Sequence, residues 1–353
     1  MGKWKRSLEG MVVKTNELLA DWSGRRVLVT GATGIVGSWL VKDLLARGAQ
    51  VFVLIRDWDP QSELMRSGDV ERTSVIHAAL EDFRGVERAI TEHETDTIFH
   101  LGAQTIVGTA LRSPLQTFES NIRGTYHVLE ACRMHSDIVR RVVVASSDKA
   151  YGESEALPYT ENMPAQGQHP YDVSKSCADL LARSYAFTYG LPIGVARCGN
   201  IYGGGDLNWS RIVPGTIRSL LHRERPIVRS DGSYLRDYLY VKDAVAAYQT
   251  LACALDNSQV RGQAFNFGPG VPVSVLDVVG SIRSLMRAED EEPIIANNAR
   301  GEIRNQYLDC SKAARLLRWQ PRLTLRQGLE ETIGWYRGYF NAYAAVSGCG
   351  ELQ

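Results

Sequence analysis

The stretch that decides the fold is Arg25-Arg26-Val27-Leu28-Val29-Thr30-Gly31-Ala32-Thr33-Gly34-Ile35-Val36-Gly37. A short apolar strand leads into glycines spaced three apart. A segment with the apolar spacing of a helix follows and stops at Gly48, and residues 51–55 read as the next strand. This order predicts a strand-helix-strand unit whose two strands lie parallel.

The glycines between the first strand and the first helix suit a particular task. They permit a tight turn, let the backbone approach a pyrophosphate, and allow the helix to pack closely on the sheet with its N-terminus facing the anion. The alternative is an ordinary tight turn without a ligand, but the strand-glycine-helix-strand context favours dinucleotide binding. The expected cofactor contacts in this turn are Gly31, Thr33, Gly34, Ile35, Val36 and Gly37.

Strand and helix patterns continue to alternate downstream. Strands are indicated at residues 74–78, 97–101, 142–145 and 193–197, and helices at residues 83–94, 121–135 and 172–189. The alternation predicts an α/β fold: a Rossmann-type, doubly wound parallel sheet.

The sequence pattern changes after Gly199, where a glycine-rich loop is followed by shorter segments that mix strand and helix patterns. This change predicts a smaller mixed α/β substrate lobe in the C-terminal part. We expect a helical extension at 1–23, a dinucleotide-binding domain at 24–199 and 236–267, and a substrate-binding lobe at 200–235 and 268–345.

Composition excludes several classes of function. Among 353 residues, 40 Lys and Arg balance 40 Asp and Glu, so the chain lacks the basic excess that nucleic-acid binding requires. The six cysteines are scattered and form no motif with metal-ligand spacing, so we expect no metal. No apolar run approaches the length that spans a membrane, and a cytoplasmic location is expected.

Proton-transfer groups are concentrated between residues 146 and 175. Ser147, Asp148 and Lys149 follow a buried strand, at the sheet edge where ligands of open α/β folds bind. Tyr171 and Lys175 are four residues apart and therefore share one helix face. A neighbouring ammonium favours the phenolate, which would lower the tyrosine pKa toward that of a useful base. For any one of these residues alone, a surface or turn role is the simpler interpretation.

With these residues assembled, the chain resembles the extended short-chain dehydrogenase/reductase family of nucleotide-sugar enzymes over roughly residues 24–340. Within it the chain is most similar to the branch of CDP-glucose 4,6-dehydratase. The resemblance rests on the glycine turn, on Tyr171 with Lys175, and on the stretches 99–104, 121–125, 147–149, 196–206, 211–214, 236–243, 265–269 and 308–313.

The resemblance implies a nicotinamide cofactor, NAD or NADP, and a nucleoside diphosphate sugar as substrate. An acid at the end of the second strand favours NAD and an arginine favours NADP; Arg56 precedes Asp57 there, so both stay open. Further cofactor contacts are expected at Arg56, Asp57, Leu80, Leu101, Gly102, Ala103, Gln104, Asn121, Tyr171 and Lys175. Substrate contacts are expected at Ser147, Asn200, Arg211, Arg236 and Arg304.

The resemblance further implies a 4,6-dehydratase, because a proton donor follows the strand at Asp148, where relatives that only epimerise have small residues. Lys149 occupies the place of the base that removes the C5 proton in related enzymes. The product would be an NDP-4-keto-6-deoxyhexose, with the nucleotide base and the sugar left open. A 4-epimerase and, more distantly, a non-catalytic dinucleotide-sensing protein are the alternatives. A homodimer is expected, in which helices 121–135 and 172–189 of each subunit form a four-helix bundle.

Overall fold

The computed structural model of the chain describes residues 21–299 and 301–347. The helical extension predicted at residues 1–23 lies outside the described residues, apart from its last three positions. The strands are β1 (Arg26–Thr30), β2 (Gln50–Ile55), β3 (Ser74–His77), β4 (Thr97–His100), β5 (Arg141–Ala145), β6 (Ile193–Cys198), β7 (Asn200–Tyr202), β8 (Ile227–Val228), β9 (Leu235–Tyr240), β10 (Ala264–Phe267), β11 (Pro272–Ser274), β12 (Ile294–Ile295) and β13 (Asn305–Gln306).

The helices follow the predicted alternation with the strands. They are α1 (Ile35–Ala46), α2 (Glu63–Arg66), α3 (Phe83–Thr91), α4 (Val107–Arg112), α5 (Pro114–Phe118), α6 (Gly124–Met134), α7 (Pro170–Tyr189), α8 (Ile212–Leu221), α9 (Val241–Ala254), α10 (Val275–Met286), α11 (Ser311–Leu317) and α12 (Leu325–Ser347). None of the helices in the described part of the chain is both long and apolar enough to cross a membrane.

Seven parallel strands form the main sheet in the order β10-β6-β5-β4-β1-β2-β3. Helices cover both faces, which is why the inner strands are largely apolar and buried. Apolar residues of α1 and α9 fill one side, and those of α3, α6 and α7 fill the other. The predicted fold class, a Rossmann-type doubly wound sheet, is confirmed.

The smaller sheet is mixed. Its strand β9 pairs in parallel with β7 and β13 and antiparallel with β11. The predicted domain boundaries placed residues 236–240 with the dinucleotide-binding part, but the hydrogen bonds of β9 lie within the smaller sheet. The chain then crosses to the main sheet, which α9 covers and which β10 extends at its edge. Strand periodicity identifies a strand but not its partners, which explains the difference.

Two helix starts differ from the sequence pattern. A π-helical turn over Glu119–Arg123 precedes α6, so the predicted helix at 121–135 begins in irregular backbone. The predicted helix at 172–189 begins two residues earlier, because Pro170 occupies its first turn, where the missing N–H of proline is not needed. Tyr171 therefore lies in the first turn of α7, at the carboxyl edge of the main sheet.

Candidate active site

The glycine turn after β1 forms a cradle that side chains would fill. Gly31 has φ +71°, and a Cβ added there would lie 2.7 Å from the Cα of Gly102. A Cβ on Gly37 would lie 2.1 Å from the carbonyl oxygen of Gly31. The N-terminus of α1 has no capping side chain, so its first N–H groups are available to an anion. The turn thus fits the pyrophosphate of a dinucleotide.

The loop after β4 forms the other wall of this cradle. The Gly102 N–H donates to Thr30 Oγ1 at 3.0 Å, and Thr30 Oγ1 is also hydrogen-bonded to His100 Nδ1 at 2.8 Å. The other ring nitrogen of His100 lies 3.0 Å from Thr125 Oγ1. Burial, aided by the charge of Lys175, lowers the pKa of His100 to about 3. This histidine is therefore neutral and structural.

Asn121 and Gln104 hold the same loop. Asn121 Oδ1 accepts from the Gln104 N–H at 2.7 Å, and its Nδ2 donates to the Gln104 carbonyl at 3.0 Å and to Ser174 Oγ at 2.9 Å. The Gln104 amide is engaged with the backbone of Ile106. These contacts hold the loop in place, and direct cofactor contact through the two side chains stays a prediction.

The adenosine side of the cradle contains two further predicted groups. Leu80 supports the glycines, since a Cβ on Gly102 would lie 3.0 Å from Leu80 Cδ1. At the end of β2, Arg56 Nε pairs with Asp57 Oδ2 at 2.6 Å, and their side chains are 56% and 72% exposed. Either group can turn toward a ribose or a 2′-phosphate, so the pair is compatible with NAD and with NADP.

Tyr171 and Lys175 lie on one face of α7, as predicted. Lys175 Nζ donates to the carbonyl of Ala145 at 2.8 Å, and burial lowers the pKa of Lys175 to about 8. Burial raises the pKa of Tyr171 well above its usual range, and Arg211 provides the largest opposing charge. The expectation that Lys175 lowers the tyrosine pKa is therefore corrected, since the ammonium is directed at the end of β5.

The chain after β5 forms a short 3₁₀ turn, Asp148–Tyr151. Ser147 starts it: its Oγ accepts from the Lys149 N–H at 3.2 Å and donates to Asp148 Oδ1 at 2.9 Å. Asp148 is 2% exposed, and its Oδ2 has no hydrogen-bond partner among the described residues. Burial raises the pKa of Asp148 against the charges of Lys149 and Arg236. A buried carboxyl of this kind can hold a proton at neutral pH and donate it.

The smaller sheet contributes two polar residues that the sequence did not single out. Lys149 Nζ donates to Gln306 Oε1 of β13 at 3.2 Å, across 157 residues of sequence. Asp237 of β9 accepts from the N–H groups of Gly270 and Leu308, each at 3.2 Å. Burial, with the nearby charge of Asp148, raises the pKa of Asp237 to about 7. No local pattern could have placed either residue beside the strand end of the main sheet.

The predicted substrate arginines have different surroundings. The Arg236 guanidinium is buried and donates to the carbonyls of Ile303 and Arg304 at 2.6 and 2.7 Å. Arg304 is 65% exposed and lies 4.0 Å from Asp231. Arg211 pairs with Asp206 at 3.0 Å.

The charges of two of these arginines oppose the effect of burial on neighbouring groups. Arg211 lowers the pKa of Tyr171, and Arg236 lowers the pKa of Asp148. Arg304 remains the arginine most open to a diphosphate. Another predicted substrate contact, Asn200, lies in β7 opposite Tyr238. Their individual substrate contacts stay predictions.

The main sheet, the glycine cradle and the tyrosine–lysine pair define an extended short-chain dehydrogenase/reductase. The sequence profile of the family described as GDP-mannose 4,6 dehydratase matches residues 28–332, and the chain belongs to this family. The predicted family resemblance is confirmed.

Curated and solved relatives agree with this placement. The chain is 30% identical to the CDP-glucose 4,6-dehydratase of Salmonella typhimurium, over 90% of this chain and 92% of that protein. It superposes on a dTDP-glucose 4,6-dehydratase from Streptomyces venezuelae, crystallised with NAD, with a TM-score of 0.80, 26% identity, and 89% and 97% coverage. A UDP-glucose 4-epimerase from Thermotoga maritima gives a TM-score of 0.81, 27% identity, and 89% and 99% coverage. The backbone therefore does not separate dehydratase from epimerase.

Proposed function

We propose that this protein is a nucleotide-sugar 4,6-dehydratase that converts an NDP-hexose, CDP-glucose or a similar sugar, to the NDP-4-keto-6-deoxyhexose. The observation that carries this proposal is the Asp148 carboxyl, which is buried beside the tyrosine–lysine pair, has a raised pKa, and has an Oδ2 that no described residue hydrogen-bonds. An epimerase needs no such acid. Sequence relatives named as 4,6-dehydratases support the same conclusion.

The cofactor that fits the cradle is NAD or NADP. Gly31, Gly34 and Gly37 would hold its pyrophosphate, and the Arg56–Asp57 pair would meet its adenosine ribose. When bound, the nicotinamide takes up a hydride from C4 of the sugar and gives it back at C6. The solved relative from Streptomyces venezuelae contains NAD.

Tyr171 acts on the first proton. Its phenolate oxygen takes the proton of the C4 hydroxyl as the C4–H bond breaks, which leaves a ketone at C4. The Arg211 charge favours the phenolate and opposes the burial that raises the pKa of Tyr171. Lys175, held by the carbonyl of Ala145, fixes the helix turn that carries the tyrosine.

Asp148 and Lys149 serve the second stage of the reaction, the loss of water. The C4 ketone acidifies the C5 hydrogen, so that a base can remove this proton. Asp148 then gives its proton to the C6 oxygen as the C6–O bond breaks, and water leaves. A proton returned to C5 completes the product, and the net change is the loss of one water. Lys149 is the proposed base, since it is the next residue along the same turn.

The proposal is tested with CDP-, GDP-, UDP- and dTDP-glucose, each incubated with the purified protein and either nicotinamide cofactor. A 4-keto-6-deoxy sugar, identified by mass spectrometry and NMR, is the expected product from at least one of them. A 4-epimer instead would establish the epimerase, whose fold is equally similar. Bound cofactor without turnover of any nucleotide sugar would favour a dinucleotide-sensing protein.

We further propose a homodimer through α6 and α7 and a cytoplasmic location, where activated sugars and nicotinamide cofactors are available. The outer face of α7 exposes Leu180 and Phe187, seven residues apart and 53% and 93% exposed. Met134 of α6 is also exposed. An apolar stripe of this spacing suits packing against a second helix. Phe187→Glu should convert a dimer to a monomer in light scattering, and a monomeric parent would contradict the proposal.

A further inference from the structure

The segment between α10 and α11 contacts the candidate site, and backbone hydrogen bonds hold it on both sides. Gln306 pairs with β9, and beyond it Tyr159 donates its N–H to the Tyr307 carbonyl and accepts from Asp309, each at 2.9 Å. Strand backbone tied on both sides keeps a side chain in place better than a free loop does. Gln306 is completely buried on this segment.

The orientation of the Gln306 amide follows from its partner. Its Oε1 accepts from Lys149 Nζ at 3.2 Å. In this contact the lysine nitrogen donates and the amide oxygen accepts, so the NH₂ group of the amide faces away from Lys149. This Nε2 has no hydrogen-bond partner among the described residues.

A second unpaired group lies in the same site. Asp148 Oδ2 is buried without a partner in the described part of the chain, and Asp148 lies within reach of the charges of Lys149, which Gln306 holds, and of Arg236, which is opposite Gln306 in the sheet. Buried polar groups in folded proteins are nearly all hydrogen-bonded, so an unpaired amide NH₂ group and an unpaired carboxyl oxygen at one site indicate a ligand group that satisfies both. A hydroxyl does so, because its oxygen has two lone pairs and can accept from the amide and from the protonated carboxyl.

We propose that Gln306 is a substrate-binding residue for the dehydration step, with its Nε2 donating to the departing C6 oxygen of the hexose while its Oε1 holds Lys149. This inference rests on the proposed function, in which Asp148 protonates that oxygen. The oxygen gains negative charge as the C6–O bond breaks, and a fixed donor stabilises it most in the transition state. Gln306 thereby links the smaller sheet to the second half of the reaction.

Two variants of similar size separate the two ends of the amide. Gln306→Glu keeps an acceptor for Lys149 and removes the donor, whereas Gln306→Met removes both. The matched control is Gln263→Met: Gln263 also accepts from a lysine, Lys312 Nζ, at 3.2 Å, but it is exposed and belongs to the edge of the main sheet.

The experiment uses the full chain with cofactor and CDP-glucose, or whichever of the four nucleotide-glucoses the parent converts. Both Gln306 variants should form the 4-keto-6-deoxy product on the order of 100-fold more slowly. Bound reduced nicotinamide, seen by its absorbance and fluorescence, should accumulate because C4 oxidation continues. Their Tm and their affinity for the nucleotide sugar in calorimetry should stay close to the parent values, and Gln263→Met should match the parent throughout.

A parental rate in Gln306→Glu would overturn the donor role. If both variants show a lowered Tm or a weakened affinity for the nucleotide sugar, Gln306 stabilises the fold and the inference is wrong. If only Gln306→Met shows this change, the rate of Gln306→Glu tests the donor role. A parent that forms no 4-keto-6-deoxy sugar from any of the four substrates refutes the proposed function instead. The two failures are thus distinguishable.

Discussion

The two pairs of acid-base residues at this site are held in different ways. Tyr171 and Lys175 lie on one helix, and Lys175 is fixed by the carbonyl of Ala145 at the end of the neighbouring strand. Asp148 and Lys149 lie on a short turn and meet side chains of the smaller sheet, Gln306 and Arg236. The main sheet and its helices position the first pair, to which the lobe adds the charge of Arg211, whereas the second pair contacts side chains of the smaller sheet directly.

This difference assigns the two stages of the proposed reaction to different parts of the molecule. C4 oxidation needs the cofactor, Tyr171 and Lys175, which the main sheet positions. Loss of water needs Asp148 and Lys149, which the smaller sheet helps to position. A 4-epimerase shares the first set and the backbone. Asp148 and Lys149 are therefore the residues that distinguish a dehydratase from an epimerase.

Loss of the phenol should have the largest effect. Tyr171→Phe removes the group that takes the C4 proton, so kcat for the complete reaction should fall by about 10⁴-fold. Reduced cofactor should not appear when nucleotide sugar is added, because the block precedes hydride transfer. Stopped-flow absorbance and product analysis measure both. Accumulation of reduced cofactor in this variant would place the tyrosine in the second stage, together with Asp148 and Lys149.

Loss of the Asp148 carboxylic acid should have a smaller effect on the reaction rate, and this effect should be confined to the second stage. Asp148→Asn keeps the shape and the hydrogen bond to Ser147 but cannot give a proton, so product formation should fall about 10³-fold. Reduced cofactor should still form at close to the parental rate. Unchanged turnover would remove Asp148 from the mechanism, and equal loss of both stages would show that the two pairs act as one unit.

The buried ammonium of Lys175 should appear in the pH dependence of stability. In the unfolded chain it keeps its proton up to about pH 10.5, but in the folded protein only up to about pH 8. Between these values the unfolded chain binds more protons, so this group raises stability as pH rises through the window. Lys175→Met should therefore be more stable than the parent by about 3 kcal/mol at pH 7, with the difference vanishing near pH 10.5. Chemical denaturation at several pH values tests this; a difference independent of pH would contradict the lowered pKa.

The charge opposite the tyrosine should have the smallest effect. Arg211→Gln removes the main charge that lowers the pKa of Tyr171, so that pKa should rise. C4 oxidation at pH 7 and saturating substrate should slow by about tenfold and recover at higher pH. The dehydration of an oxidised sugar should not change. Arg218→Gln, an exposed change further along α8, is the control. An unshifted pH profile would exclude Arg211 from this role.

Local patterns predicted much of this molecule. The apolar strands, the glycine turn and the i, i+4 relation of Tyr171 to Lys175 are periodic or short-range features, and the structure contains each of them. Expectations that depended on contacts with distant parts of the chain were less accurate. The pKa of Tyr171 is set by burial and by Arg211, and β9 belongs to the smaller sheet, because both follow from contacts between distant parts of the chain.

The doubly wound sheet, the cofactor cradle and the residue types at the end of β5 follow from local residue order. A strand period, a turn glycine and a helix face are properties of a few consecutive residues, so they can be predicted without the fold. The contact of Gln306 with Lys149 across 157 residues, and the burial of Asp148 with one oxygen that no described residue hydrogen-bonds, arise only in the folded chain. Burial and long-range hydrogen bonds depend on how the two sheets are assembled, and the chemistry of this site depends on them.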